Sequence, residues 1–219
     1  MIRSTSWTTL AVSMALLVGG TASHAEPASE TEPAPHAEPA SHPAIATIEG
    51  LHVSMLETMQ NADELGYQGR YDKLGNALAV SFDLEFMAQK AVGRSWKKFT
   101  PEEKQRWRKS FENVTSANYA GRFTGYSGQQ FKTLGVEPSS HETMIVRTEL
   151  ENPDGDDVTL NYRLRETPEG WRIIDVYLNG TVSELALRRS EYSSLIKRDG
   201  FESLVDTVDQ RVADLAKVN

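Results

Sequence analysis

The chain has 219 residues, enough for one domain whose core could enclose a cavity. The formal net charge of −8 argues against nucleic-acid binding, which requires neutralisation of phosphates, and against adsorption to anionic bilayers. The sequence has no cysteine, which excludes disulfides, thiolate zinc sites and lipidation at a cysteine.

The first 25 residues are predicted to be a secretory signal peptide. Arg3 supplies the positive end, and residues 10–18 form an apolar run that is too short to span a bilayer. Ser23-His24-Ala25 presents small residues at both positions that the peptidase reads. We therefore expect cleavage after Ala25 and a soluble mature protein in an extracytoplasmic compartment.

Residues 26–44 are predicted to be a disordered spacer, and residues 45–219 the folded domain. The spacer consists mostly of Pro, Ala, Glu and His, and such a composition buries too little apolar surface to offset the entropy cost of ordering. The spacer also holds four glutamates, so the net charge of the folded domain is near −5.

Helices are predicted at residues 45–59, 70–79, 83–93 and 100–119. The first two are separated by Gly66 and Gly69, which interrupt the helical pattern. Asp83 has the position and chemistry of an N-cap, and Thr100 begins a capping box that Glu103 completes.

The pattern then changes to the two-residue alternation of strands, at residues 141–152, 158–165 and 171–178, with a further strand predicted at 131–136. Turn signals separate the strands, and amphipathic helices follow at residues 185–196 and 201–215, divided near Gly200. This order predicts an α+β domain, in which helices cover a curved antiparallel sheet of about four strands.

The sequence offers little catalytic chemistry. His52 and His141, the two histidines of the predicted domain, lack the spacing of a metal site, so we expect no metal, no cofactor and no catalytic residue. Asp175 stands out because it interrupts an apolar strand. It could be the base of an enzyme with a cone-shaped α+β fold, but a structural carboxylate paired with an arginine or backbone amides is favoured, because buried charges are usually paired.

Two segments resemble the MlaC family of periplasmic lipid carriers, also known as toluene-tolerance auxiliary proteins. Residues 82–96 are similar to its D-apolar, M-A and G-x-x-W segment. W-R-I-I-D-V at residues 171–176, followed by Gly180 and Ser183, resembles its W-x-apolar-x-D-apolar segment. Weaker likenesses in the same order lie at residues 100–111, Tyr119, 189–192 and 200–204.

The resemblance extends over about residues 45–215, and residues 65–74 and 121–128 look most like the hopanoid-associated HpnM branch. It implies a soluble periplasmic shuttle, auxiliary to an ABC transporter, that helps to maintain the outer membrane. Such a shuttle moves a phospholipid or hopanoid between an inner-membrane ABC transporter or lipid exporter and an outer-membrane complex. The alternatives are an enzyme using Asp175 as base and a non-catalytic periplasmic adaptor.

A carrier of this family needs an apolar cavity between sheet and helices, with a volume of roughly several hundred Å³. The apolar face of the strands and the helices that cover it are predicted to line this cavity. Each aromatic residue could equally belong to an ordinary core. The predicted ligand-binding residues are Met87, Val92, Trp96, Tyr119, Phe123, Tyr126, Met144, Val146, Leu150, Val158, Leu160, Tyr162 and Leu164.

Overall fold

The computed structural model describes residues 42–218. The helices are α1 (Pro43–Gln60), α2 (Ala62–Ser81), α3 (Leu84–Ala91), a 3-10 helix (Gly93–Lys98), α4 (Pro101–Arg122) and α5 (Glu184–Val218). The strands are β1 (Gln130–Ser139), β2 (Thr143–Glu151), β3 (Val158–Thr167), β4 (Gly170–Leu178) and β5 (Val182–Ser183).

The predicted α+β class is confirmed. The strands form one antiparallel sheet in the order β1-β2-β3-β4-β5, and the fifth strand, absent from the prediction, has two residues. Two register shifts leave Leu134 on β1 and Ile174 on β4 without a partner in the adjacent strand. Such bulges bend and twist strands, which accounts for the curvature of the sheet.

The predicted starts of α3 and α4 are confirmed by their caps. The Asp83 carboxylate accepts a hydrogen bond from the backbone amide of Phe86 at 3.0 Å. At α4, the Thr100 hydroxyl accepts from the amide of Glu103, while the Glu103 carboxylate accepts from the amide of Thr100. Asp83 also forms a salt bridge with Arg165 on β3, which joins the start of α3 to the sheet.

Helix α1 begins inside the range predicted as spacer. It starts at Pro43, the side chain of Ala44 is fully buried, and the His42 ring accepts a hydrogen bond from the amide of Ala44. The folded domain therefore begins earlier than predicted. The predicted signal peptide and residues 26–41 of the predicted spacer lie outside the described residues.

Only one of the two glycines near the start of α2 interrupts the helix. Gly66 has φ 57° and ψ −174° and kinks α2, whereas Gly69 lies within regular helix. Helical residues therefore precede residue 70 on both sides of the kink, and α2 as a whole starts at Ala62. Gly200 breaks α5 in the same way, with φ 84° and ψ −173°, and divides it into two segments as predicted. These backbone angles are accessible essentially to glycine alone.

The core lies between the inner face of the sheet and the helices. Helix α1 packs on β1, β2 and β4, while α3 and α5 approach β4 and pack with α4. The largest fully buried side chains include Trp107 on α4, Tyr162 on β3 and Leu204 on α5. Within residues 42–218, no helix combines the length and the apolarity that crossing a bilayer requires.

Candidate functional site

A small cavity lies where α4 and the first segment of α5 meet strands β3 and β4. Its volume is about 100 Å³, the space of roughly three water molecules. The residues that line it are Met55, Phe82, Met87, Phe111, Val114, Thr115, Asn118, Tyr119, Arg122, Phe123, Leu160, Tyr162, Val176, Leu178, Glu184, Leu185, Arg188 and Tyr192.

The walls of the cavity are apolar and partly deformable. Leu160 and Tyr162 reach it from β3, because alternate residues of this strand face the helices. Met55 on α1 and Met87 on α3 approach from the opposite side. Unbranched methionine side chains adapt to irregular spaces, so these walls can yield to a ligand larger than the cavity.

Polar side chains gather at one part of the lining, on α4 and α5. The Arg122 guanidinium lies 3.8 Å from the Glu184 carboxylate. The Arg188 guanidinium lies 3.2 Å from the carboxylate of Glu191. Arg122, Glu184 and Arg188 line the cavity and are all partly exposed to solvent, so we infer that the cavity opens at this part of its lining.

The buried hydroxyl of Tyr162, which lines the cavity, already has a hydrogen-bond partner. The Tyr162 hydroxyl lies 3.1 Å from Nε2 of His52, whose ring stacks on Phe131 with centroids 3.9 Å apart. Burial lowers the pKa of His52 to about 3, so the imidazole is neutral at physiological pH. Burial also raises the pKa of Tyr162 well above its ordinary value, so the pair carries no charge.

Tyr119 brings a second neutral phenol to the lining. Its ring packs against Phe82 and Phe123, with centroids 5.9 and 5.7 Å away. Burial raises the pKa of Tyr119 above the usual value for tyrosine. In residues 42–218 no group of three metal-ligating side chains occurs. The interior of the cavity is therefore neutral and mainly apolar, which suits an apolar ligand.

Asp175 lies on β4, outside the cavity lining, and its side chain contacts the start of α5. Its carboxylate accepts hydrogen bonds from the Ser183 hydroxyl at 2.6 Å and from the backbone amides of Val176 and Leu185 at 2.8 and 3.1 Å. Burial raises the pKa of Asp175, while these hydrogen bonds and the charge of Arg163 act in the opposite direction. The carboxylate thus links β4 to the first turn of α5.

Comparison with known proteins assigns the fold to a family. The family model described as MlaC protein matches residues 51–210, which is most of the chain. The chain belongs to the MlaC family. Among curated proteins, none matches the chain.

A solved structure supports the same assignment. This MlaC-family protein resembles the phospholipid-binding protein from Ralstonia solanacearum, whose structure was solved in complex with a phospholipid. The TM-score is 0.70 at 26% sequence identity, and the match covers 79% of this chain and 98% of the R. solanacearum chain.

The predicted ligand-binding residues divide into two groups. The cavity lining includes Met87, Tyr119, Phe123, Leu160 and Tyr162. The others lie elsewhere: Val92, Trp96, Tyr126, Met144, Val146, Leu150, Val158 and Leu164. Whether any of them binds a ligand stays a prediction, but the structure brings only the first group together.

The second group lies outside the lining for identifiable reasons. Helix α1 packs on β1 and β2, so Val146, fully buried, belongs to a filled part of the core. Trp96 lies on the 3-10 helix, and Tyr126 is 44% exposed in the loop before β1. Strand alternation identifies the inner face of the sheet, but it does not show which part of that face a helix fills.

The polar part of the cavity lining is not among the residues predicted from the sequence. Thr115, Asn118, Arg122 and Arg188 line the cavity, whereas the predicted ligand-binding residues are all apolar or aromatic. A signal existed on α4, where Phe111, Thr115, Asn118 and Arg122 follow one another at helical spacing on the face that carries the apolar stripe.

Proposed function

We propose that this protein is a non-enzymatic carrier that binds a phospholipid, with an acyl chain in the cavity between β3, β4, α4 and α5. The observation that carries the proposal is a neutral, apolar cavity with a charged opening, in a fold whose R. solanacearum relative was solved with a phospholipid. Family membership favours carriage over the enzyme with Asp175 as base.

Lipid binding requires the cavity to widen, because about 100 Å³ is less than the roughly 300–1,000 Å³ of typical ligand pockets. The first segment of α5 is the element best placed to move. It carries Leu185, Arg188 and Tyr192 on the cavity side, and the Gly200 break separates it from the rest of the helix. Displacement of this segment would lengthen the space beside β4.

The opening supports a phospholipid over a hopanoid as the ligand. Arg122 and Arg188 can donate charge-assisted hydrogen bonds to a phosphate at the end of the cavity where solvent enters. A hopanoid would place a rigid ring system in the cavity and would leave these arginines without a phosphate. The likeness to the HpnM branch keeps the hopanoid as the alternative ligand.

Carriage also implies where the protein works. Burial of an acyl chain of ~16 carbons contributes on the order of 12 kcal/mol, so spontaneous release into water is very slow. A carrier must therefore hand over its lipid at a docking site. We place it in the periplasm after signal-peptide cleavage, between an inner-membrane ABC transporter or lipid exporter and an outer-membrane complex.

Mass spectrometry of the protein and its extracted lipid tests these points together. We expect protein purified from the periplasmic fraction to begin at Glu26 and to release phospholipid in about equimolar amount. Extraction of hopanoid alone would select the alternative ligand. Recovery of no lipid, or of protein that retains Met1, would contradict carriage or export respectively.

A further inference from the structure

Lysine and arginine side chains without a salt bridge are concentrated at one place on this acidic protein. Most of the other cations in residues 42–218 pair with a carboxylate, as Arg106 does with Glu202. Six cations around the 3-10 helix and the facing part of α5 have no such pair in that range, and we call them the basic patch: Arg94, Lys97, Lys98, Lys104, Arg189 and Lys197.

The basic patch borders a groove of about 780 Å³ between the 3-10 helix and α5. The lining of the groove is mixed, and its apolar part includes Phe99 and Phe201, whose rings meet edge to face with centroids 4.8 Å apart. Cations line the groove from both elements, Arg94 and Lys98 from the 3-10 helix and Arg189 and Lys197 from α5. The groove thus combines aromatic side chains with a concentration of positive charge.

Trp96 adds a large aromatic side chain to this surface. It is half-buried, and the Lys104 ammonium and the Arg108 guanidinium lie 5.6 and 5.3 Å from its ring. Tryptophan is enriched at the level of lipid headgroups, where its ring meets both apolar and wet surroundings. Lysine and arginine flanking such a ring are attracted to anionic lipids.

The charge of the patch contrasts with that of the folded domain as a whole, whose net charge is near −5 even though these six cations are counted in it. Carboxylates near the patch are engaged elsewhere: Glu103 lines the groove but caps α4, and Asp199 and Glu202, close to Lys197 and Phe201 along α5, pair with arginines outside the patch. The net charge alone argues against adsorption to anionic bilayers, but this uneven distribution would orient the molecule with the patch towards such a surface.

We propose that the basic patch is the surface by which this protein docks on an anionic phospholipid bilayer. The cations are spread over the 3-10 helix, α4 and α5, as suits a broad charged surface, instead of converging on one small anion. Aromatic side chains accompany them, as they do at membrane interfaces. The inference does not depend on carriage, because docking uses residues outside the cavity lining.

Sedimentation with vesicles tests the proposal on the full mature protein. The probes are vesicles of phosphatidylcholine and vesicles of phosphatidylcholine with an equal part of phosphatidylglycerol. At low salt we expect the protein to sediment with the anionic vesicles alone, and high salt should release it because salt screens exposed charges. Failure to bind anionic vesicles at low salt would overturn the proposal and favour an acidic protein partner.

Two triple variants with the same change in net charge separate the patch from overall charge. Lys97→Glu/Lys98→Glu/Lys197→Glu should bind anionic vesicles roughly 100-fold more weakly than the parent protein. The control Lys109→Glu/Lys132→Glu/Lys217→Glu alters three exposed lysines outside the patch. Each of them forms a surface salt bridge, which contributes little to stability. This control should bind anionic vesicles nearly as well as the parent protein. Equal losses in both triples would overturn the proposal.

Circular dichroism should show the same fold for both triples. If the patch triple misfolds, the corresponding glutamine variant takes its place with the same expected direction. The lipid content of the purified patch variant provides a separate readout. We expect it to match the parent, so loss of vesicle binding and loss of lipid carriage remain distinguishable.

Discussion

At the scale of single residues, His52 and Tyr162 show how polar atoms are accommodated beside an apolar cavity. The Tyr162 hydroxyl and Nε2 of His52 are hydrogen-bond partners at 3.1 Å, and the imidazole also stacks on the ring of Phe131. Burial keeps the imidazole neutral, since its pKa falls to about 3 from an ordinary value of 6.5. The sequence marks His52 only as a histidine without a metal-type neighbour, and its partner lies 110 residues away.

The depressed pKa of His52 predicts a loss of stability in acid. Between pH 6.5 and 3 the unfolded state binds a proton at this position that the folded state excludes, so the free energy of unfolding falls as pH decreases. Relative to His52→Gln, the parent should lose about 2 kcal/mol between pH 7 and pH 5. Urea unfolding of both proteins at each pH measures this difference, and equal pH dependences would contradict it.

Asp175 illustrates a buried residue whose hydrogen-bond partners are not evident from its sequence context. Its Oδ1 atom accepts hydrogen bonds from two backbone amides, and its Oδ2 atom accepts one from the Ser183 hydroxyl. Ser183 in turn accepts a hydrogen bond from the amide of Ala186 in the first turn of α5. The carboxylate therefore fixes the start of the helix that forms one wall of the cavity.

Two substitutions at Asp175 distinguish a structural from a catalytic role. Asp175→Ala should lower the free energy of unfolding by about 1–3 kcal/mol, because buried donors lose their acceptor. Asp175→Asn should cost less than about 1 kcal/mol, because the amide oxygen still accepts from Val176 and Leu185. Denaturant unfolding checks both values. Unchanged stability in Asp175→Ala would contradict the structural role.

At the scale of elements, local signals predicted the ends of helices and the alternation of strands. The caps at Asp83 and Thr100 act within three residues, so the sequence shows them directly. The position of α1 over β1 and β2 depends on contacts between distant segments. That packing fills the space around Val146 and leaves the cavity near Leu160, a difference that a period-two pattern does not contain.

The break in α5 can be tested with a matched pair of glycines. At Gly200 a Cβ would meet no neighbouring atom, but the backbone has φ 84°. Gly200→Ala should therefore destabilise the fold by about 1–3 kcal/mol through backbone strain. Gly50→Ala, at an equally open position within α1, should stabilise it by about 0.5–1 kcal/mol.

Thermal unfolding of both glycine variants provides the measurement. Shifts of the midpoint in opposite directions would support a glycine-specific break between the two segments of α5. A stabilising effect of Gly200→Ala would show that α5 adopts a continuous helix there. The first segment of α5 would then lack the hinge on which widening of the cavity depends.

At the scale of the whole molecule, the described domain separates three environments. The cavity is neutral and mainly apolar inside, its opening carries Arg122 and Arg188, and the basic patch lies on the 3-10 helix, α4 and the same segment of α5. The remaining surface is acidic enough to keep the net charge of the domain negative. This arrangement supports carriage of a lipid whose tail is hidden and whose headgroup stays near solvent.

A matched pair of substitutions on β3 tests whether an acyl chain occupies the cavity beside Leu160. Leu160 lines the cavity, whereas Leu164 faces the same way but is fully buried in filled core. Leu160→Trp places bulk in existing space and should leave the fold stable. Leu164→Trp should cost about 1–3 kcal/mol through overpacking.

The decisive measurement is the amount of lipid per folded protein, determined by mass spectrometry after purification of the parent and both variants under the same conditions. We expect Leu160→Trp to retain its fold but to carry little or no lipid. Folded Leu164→Trp should carry as much lipid as the parent, with Leu164→Phe as the milder control if the tryptophan variant does not fold. Full lipid content in a folded Leu160→Trp would show that no acyl chain occupies this cavity.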